Sequence, residues 1–186
     1  MTDRIDQIMT LLNTKAEGLY GLSDVTQKQH ALQCAHLAEQ AGEPSEMIVA
    51  ALVHDIGHML HDIGEDFAER GVDDRHEVVS LAYLEDVFGP EVTAPVALHV
   101  EAKRYLCAAE PGYFDTLSVD SVKSLALQGG LMSPEEMREF ESRPHWQAAL
   151  TLRRFDDLGK SPDARTPPPE HFRRHLAACA LVRARA

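Results

Sequence analysis

Cysteine, basic charge, aromatic residues and long apolar runs are all scarce in this chain of 186 residues. Its three cysteines, Cys34, Cys107 and Cys179, lie far apart and form no CxxC pair. So sparse and odd a set excludes a disulfide framework and points to reduced thiols in a cytoplasmic protein. Lys and Arg number 18 against 30 Asp and Glu, a formal charge of −12. Nucleic acid and anionic membrane both reward a basic face, so neither is expected as the main partner. A small anionic substrate stays open, because a metal or a few converging bases can reverse the local field. No stretch reaches the roughly 18 consecutive apolar residues that a membrane span needs. The opening "MTDRIDQIMTLLNTKAEG" has no apolar signal-peptide segment and reads as an amphipathic helix, with Ile5, Ile8, Met9 and Leu12 on one face.

What is present is a helical pattern. Apolar residues recur at three- and four-residue steps, and no convincing strand alternation appears. The spacing predicts helices near 2–17, 25–42, 45–61, 75–88, 91–99, 101–109, 118–128, 134–141, 143–157 and 168–182. Ser133 before Pro134 is a start signal, and Gly42, Gly64, Gly71, Gly89 and Gly159 are stop signals. With no repeat and no linker, the expectation is an all-α, single helical bundle over residues 1–186, with its metal-binding core at about 18–160 and a C-terminal helix at about 168–182.

Ten histidines stand out. The stretch "VAALVHDIGHMLHDIGED", Val49 to Asp66, is apolar until it carries His54, Asp55 and His58. An apolar helix is buried, and charged groups inside it are costly unless paired or bound to metal. His30, His76, His99 and Asp156 sit in similar helical patterns, with Asp157 a competitor for Asp156. Four imidazoles and two carboxylates suit iron, manganese or zinc, and suit two ions with Asp55 as a bridge. The carboxylates and the absence of usable thiolates argue against structural zinc. His36, His61, His145, His171 and His175 read as surface or satisfied core residues, and Cys34 as packing.

The order His30, His54-Asp55, His76, His99, Asp156 on a helical chain of this size resembles the HD-domain metalloprotein superfamily. The words "HDIGHML", "HVEAKRYL", "SLALQGG" and "LRRFDDLGK" resemble the diiron oxygenases of organophosphonate breakdown. That resemblance implies cleavage of a carbon–phosphorus bond with dioxygen at an Fe(II)/Fe(III) pair, the six residues above being its ligands. The substrate would be an organophosphonate, with Lys103, Arg153 and His58 meeting its oxygens and Ser124 and Gln128 adding neutral donors. His58 and Lys103 would also assist the catalytic diiron centre. Tyr20 and Asp24 lie where similar enzymes carry a tyrosine and an ammonium-reading glutamate, but the glutamate is not found here. A trimethylammonium needs aromatic faces and a carboxylate at longer range, which Tyr20, Asp24 and Tyr105 or Tyr113 could supply. The first expectation is therefore conversion of 1-hydroxy-2-(trimethylamino)ethylphosphonate to glycine betaine and phosphate. The primary amine giving glycine is the second. A metal-dependent phosphohydrolase, ring-cleaving oxygenation of a polyol and a degenerate scaffold are the competing classes.

Overall fold

The computed structural model describes residues 2–15, 24–60 and 74–182. Tyr20 and His61 lie outside them. The described residues are helical: α1 (Thr2–Thr14), α2 (Gln27–Gln40), α3 (Ser45–Val53), α4 (His76–Leu84), α5 (Pro90–Ala109), α6 (Val119–Leu127), α7 (Pro134–Ser142), α8 (Trp146–Leu158) and α9 (Pro169–Cys179). Among them there is no strand, only isolated bridging such as that between Phe88 and Ala180, and no helix long and apolar enough to cross a membrane.

α3 is the centre. Met47 through Val53 are all buried, and α3 packs against α2, α5, α8 and α9. Burial of each large apolar side chain contributes about 1.5–3 kcal/mol. That sum outweighs the cost of drawing a few polar groups inside. α5 packs against α3, α4, α7 and α8, and α9 closes over α1 and α3. Thr26 starts α2 with a reciprocal cap: its hydroxyl accepts the Gln29 N–H, and Gln29 accepts the Thr26 N–H.

Two expected boundaries are corrected. The helix expected over 45–61 ends at Val53; Asp55 leaves helical geometry with φ −100° and ψ 13°, and Ile56–Met59 form a 3₁₀ turn. Ser80 of α4 secures the break. Its hydroxyl donates to the His54 carbonyl at 3.0 Å and accepts the Gly57 N–H at 2.9 Å, satisfying two groups the helix gives up. The helices expected at 91–99 and 101–109 are one continuous α5, with Pro95 inside it. α5 is covered on several sides, so its apolar residues do not keep one face.

Gly57 presses the turn onto α4. A Cβ there would stand 2.2 Å from the His76 carbonyl oxygen. Gly57→Ala is expected to destabilise the fold by about 3 kcal/mol, the upper end of overpacking costs, because the obstacle is backbone and cannot rotate away. Urea unfolding checks this; a midpoint unchanged from wild type would mean that the turn moves freely relative to α4.

Candidate metal centre

Five side chains from four parts of the fold meet below α3. His30 comes from α2, His54 and Asp55 from the end of α3, His76 from the start of α4 and His99 from the middle of α5. All are buried, with Asp55 4% exposed and His30 and His54 fully enclosed. Asp156 of α8 joins them, its Oδ1 lying 3.4 Å from His30 Nε2.

Each imidazole is turned the same way. His30 Nδ1 contacts the Gly159 carbonyl at 2.8 Å, His54 Nδ1 that of Ala51 at 2.9 Å, and His99 Nδ1 that of Val96 at 2.7 Å. A carbonyl only accepts, so these three Nδ1 atoms carry the proton. His76 Nδ1 is held by Asp74 Oδ1 at 2.9 Å. The Nε2 atoms therefore face inward with lone pairs, the arrangement of metal-binding imidazoles whose other nitrogen is fixed by an outer partner.

Asp55 divides the cluster in two. Its Oδ2 lies 3.5 Å from His30 Nε2 and 3.3 Å from His54 Nε2. Its Oδ1 lies 3.3 Å from His76 Nε2 and 3.5 Å from His99 Nε2. His30 and His54 Nε2 are 3.3 Å apart, and His76 and His99 Nε2 are 3.0 Å apart. Asp55 Oδ2 is buried and accepts no hydrogen bond among the described residues. Acceptors facing acceptors in a dry interior are costly unless a cation fills the space between them. The donor set fits two cations, one on each side of a shared carboxylate.

The protonation pattern agrees at His30 and His76, whereas His54 is drawn toward its charged form. Burial holds the His30 imidazole below its ordinary value, and burial followed by the His58 charge lowers His76 to about 4. For His54 burial acts downward, but the Asp55 charge outweighs it and the net shift is upward. Burial would raise Asp55, yet His54 and then His99 and His76 hold it well below the usual carboxylate range. Protons and a metal compete for the same lone pairs.

The expected substrate contacts divide. His58 is half-buried; its ring stacks on His76 at 4.1 Å, and its Nδ1 lies 2.7 Å from Asp74 Oδ2. Lys103 Nζ donates to Ser124 Oγ at 2.7 Å, and Gln128 Oε1 is buried without a hydrogen-bond partner among the described residues. Arg153 is turned into the protein. Its Nη1 donates to Asp156 Oδ2 at 2.6 Å, its Nε to the Tyr113 hydroxyl at 3.2 Å, and its Nη2 to Ser121 Oγ at 3.2 Å and to Asp157. Asp24 is exposed ahead of α2. Tyr113 is buried with its hydroxyl on Asp157, and Tyr105 packs on Phe140 and Trp146 with its hydroxyl on Glu141. The hydroxyls of Tyr105 and Tyr113 are thus engaged by protein groups, and that of Tyr113 lies beside Arg153 and Asp157.

His171 and His175 meet Glu39 on the far side of α2 at 2.9 and 3.3 Å, away from the centre. Asp74 and Lys160 belong to the centre but were not anticipated. Asp74 stands two residues before His76 in "DDRH", and Lys160 follows Asp156 by four, which is one helical turn.

Lys103 gives a pH test. Burial, then the neighbouring Arg153 guanidinium, lowers its ammonium to about 7. An unfolded lysine keeps its proton to about pH 10.4. Between those values the unfolded chain binds the extra proton, so stability rises with pH across that window. Lys103→Met is expected to flatten that rise without loss of stability at pH 7. Urea unfolding from pH 6 to 10 checks it; parallel curves for the two proteins would contradict it.

Comparison with known proteins gives the family. The HD-domain model matches residues 28–137, which include His30, His54, Asp55, His76 and His99 and stop short of Asp156. The chain is 40% identical over 178 residues to hydroxymethylphosphonate dioxygenase of Gimesia maris, covering 95% of this chain and 88% of that protein. It is 46% identical over 149 residues to the glycine-betaine-forming dioxygenase of 1-hydroxy-2-(trimethylamino)ethylphosphonate from Leisingera caerulea, covering 80% and 76%. The chain belongs to the HD-domain family, in its branch of phosphonate dioxygenases.

Proposed function

We propose that this chain cleaves the carbon–phosphorus bond of a 1-hydroxyalkylphosphonate with dioxygen, using two iron ions. The single observation that carries the reading is Asp55, with one carboxylate oxygen facing His30 and His54 and the other facing His76 and His99. One ion would be held by His30, His54, Asp55 and Asp156, and the other by Asp55, His76 and His99. When bound, the irons supply Lewis acidity toward the substrate oxygens and the redox capacity that dioxygen requires.

The remaining roles belong to the chain. Lys103 presents an ammonium to the phosphonate and is steadied by Ser124. Gln128 offers a buried amide acceptor to a hydroxyl. His58, tied to Asp74, donates to or accepts from a phosphonate oxygen without leaving its stack on His76. Arg153 holds Asp156 in place, and the apolar wall of α3 excludes bulk water. Atom balance requires one dioxygen for each carboxylate and phosphate formed, with all four electrons leaving the substrate.

For the carbon substituent the trimethylammonium substrate is the first reading, supported by the 46% identity to the betaine-forming relative. Hydroxymethylphosphonate is the second. It is supported by the relative that carries that name. An oxygen electrode and a phosphate assay test both on the iron-loaded enzyme. One dioxygen should disappear per phosphate released, and kcat/KM should rank the substrates. Brisk anaerobic phosphate release would overturn the oxygenase reading in favour of a hydrolase.

A further inference from the structure

Lys160 lies two residues beyond α8, and its Nζ stands 3.1 Å from Asp156 Oδ1 and 3.4 Å from Ser121 Oγ. The choice of oxygen matters. Asp156 Oδ2 is occupied by Arg153 Nη1 at 2.6 Å, whereas Oδ1 faces His30 Nε2 at 3.4 Å. The lysine thus holds the very oxygen that a metal between His30, His54 and Asp55 would need. The backbone beside it is packed against the site. Gly159, the residue before it, supplies the carbonyl that orients His30, and a Cβ on Gly159 would come 2.4 Å from Cys34 Sγ. The backbone at the end of α8 is therefore pinned against α2, and little besides the lysine side chain can adjust.

Three cations reach one face of α6. Lys103 is on Ser124, and Arg153 and Lys160 are on Ser121, one helical turn earlier. Arg153 is neutralised by Asp156 and Asp157 together. Lys160 shares Asp156 with it. A metal on Asp156 Oδ1 takes over that carboxylate's charge and repels an ammonium beside it in a medium of low dielectric. Ser121 then offers the lysine a partner on the ledge that also holds Lys103.

We propose that Lys160 is a resident stand-in cation that neutralises Asp156 in metal-free protein and, when metal takes Asp156 Oδ1, turns to the substrate's phosphonate as a second ammonium beside Lys103. It follows that anion binding is coupled to metal loading through this chain's own side chain, and coupling of this kind is reciprocal. The substrate part of the inference rests on the phosphonate reading above; the metal part does not.

The test compares wild type, Lys160→Gln and Lys160→Arg. Metal-free samples are melted, then titrated with Fe2+ under nitrogen, and the iron-loaded enzymes are assayed with hydroxymethylphosphonate and with its trimethylaminoethyl analogue. Lys160→Gln is expected to lower the melting temperature of the metal-free protein. It should also tighten Fe2+ binding at the Asp156 side by about tenfold, since a competing charge is gone. With the better substrate, KM should rise by about tenfold with kcat little changed, the signature of lost uniform binding. Lys160→Arg should restore the melting temperature and KM. Fe2+ affinity that falls in Lys160→Gln would overturn the proposal, because the lysine would then be supporting the ligand rather than competing for it. Unchanged affinity and melting temperature would overturn it equally. If neither phosphonate is turned over by wild type, the function reading fails while the melting and Fe2+ results still decide the role of Lys160.

Discussion

Asp55→Asn is expected to abolish turnover while leaving the metal-free protein as stable as wild type, or more so. The two halves of the result have one cause. In the native chain the carboxylate lies against four imidazole Nε2 atoms, at 3.3 to 3.5 Å, and its Oδ2 accepts no hydrogen bond among the described residues. An amide of the same shape replaces one acceptor by a donor, which the inward lone pairs can accept, and removes a buried charge. For two metal ions held as proposed, the same change would remove the anion they share. Losing several kcal/mol of charge stabilisation at that point corresponds to about 10³-fold or more in rate. Three measurements check it together: iron content per chain, the melting temperature of chelator-treated protein, and phosphate release. A variant that still retains two irons would show that Asp55 is not their bridge. A large loss of metal-free stability would show that the carboxylate is held by groups other than the inward imidazoles.

The fold and the centre differ in how far they could be read from the chain. Helices are legible because apolar spacing repeats locally, and the ligand set is legible because His54 and Asp55 interrupt an otherwise apolar run where such groups are costly. The break after Val53 is not local. It depends on Ser80 catching the His54 carbonyl from 26 residues away. Continuous α5 was hidden for a related reason: a helix covered by several neighbours loses the one-sided pattern that marks its extent. Asp74 escaped because a carboxylate two residues from a histidine is common on surfaces, and only the fold brings it against both His58 and His76. Residue type announced the metal centre, whereas the partner of each polar group was set by tertiary contacts between distant segments.

Arg153 is held by contacts of that distant kind, and Arg153→Met is expected to cost about 3–5 kcal/mol of folding stability. As a residue near Asp156 in a net-acidic chain it reads naturally as a fork for phosphonate. In the fold its donors are directed inward, to Tyr113, Ser121, Asp156 and Asp157, and the residue is 3% exposed. Burial acts to lower the guanidinium's proton affinity, but Asp156 and Asp157 outweigh it and hold it well above its ordinary value. Removing this buried cation takes a partner from Asp157 and leaves Asp156 with Lys160, and breaking a buried pair in this way carries the cost stated above. Methionine fills most of the volume, so the loss measures charge rather than a cavity. Urea unfolding of metal-free protein reads the stability directly, and Fe2+ titration should show weakened binding on the Asp156 side, since Asp156 Oδ2 has lost the donor that orients it. A plain substrate contact behaves otherwise: KM rises while the unfolding midpoint and iron affinity stay at wild-type values. That second pattern would return Arg153 to the phosphonate and leave Asp156 to be positioned by Lys160 alone among the described cations.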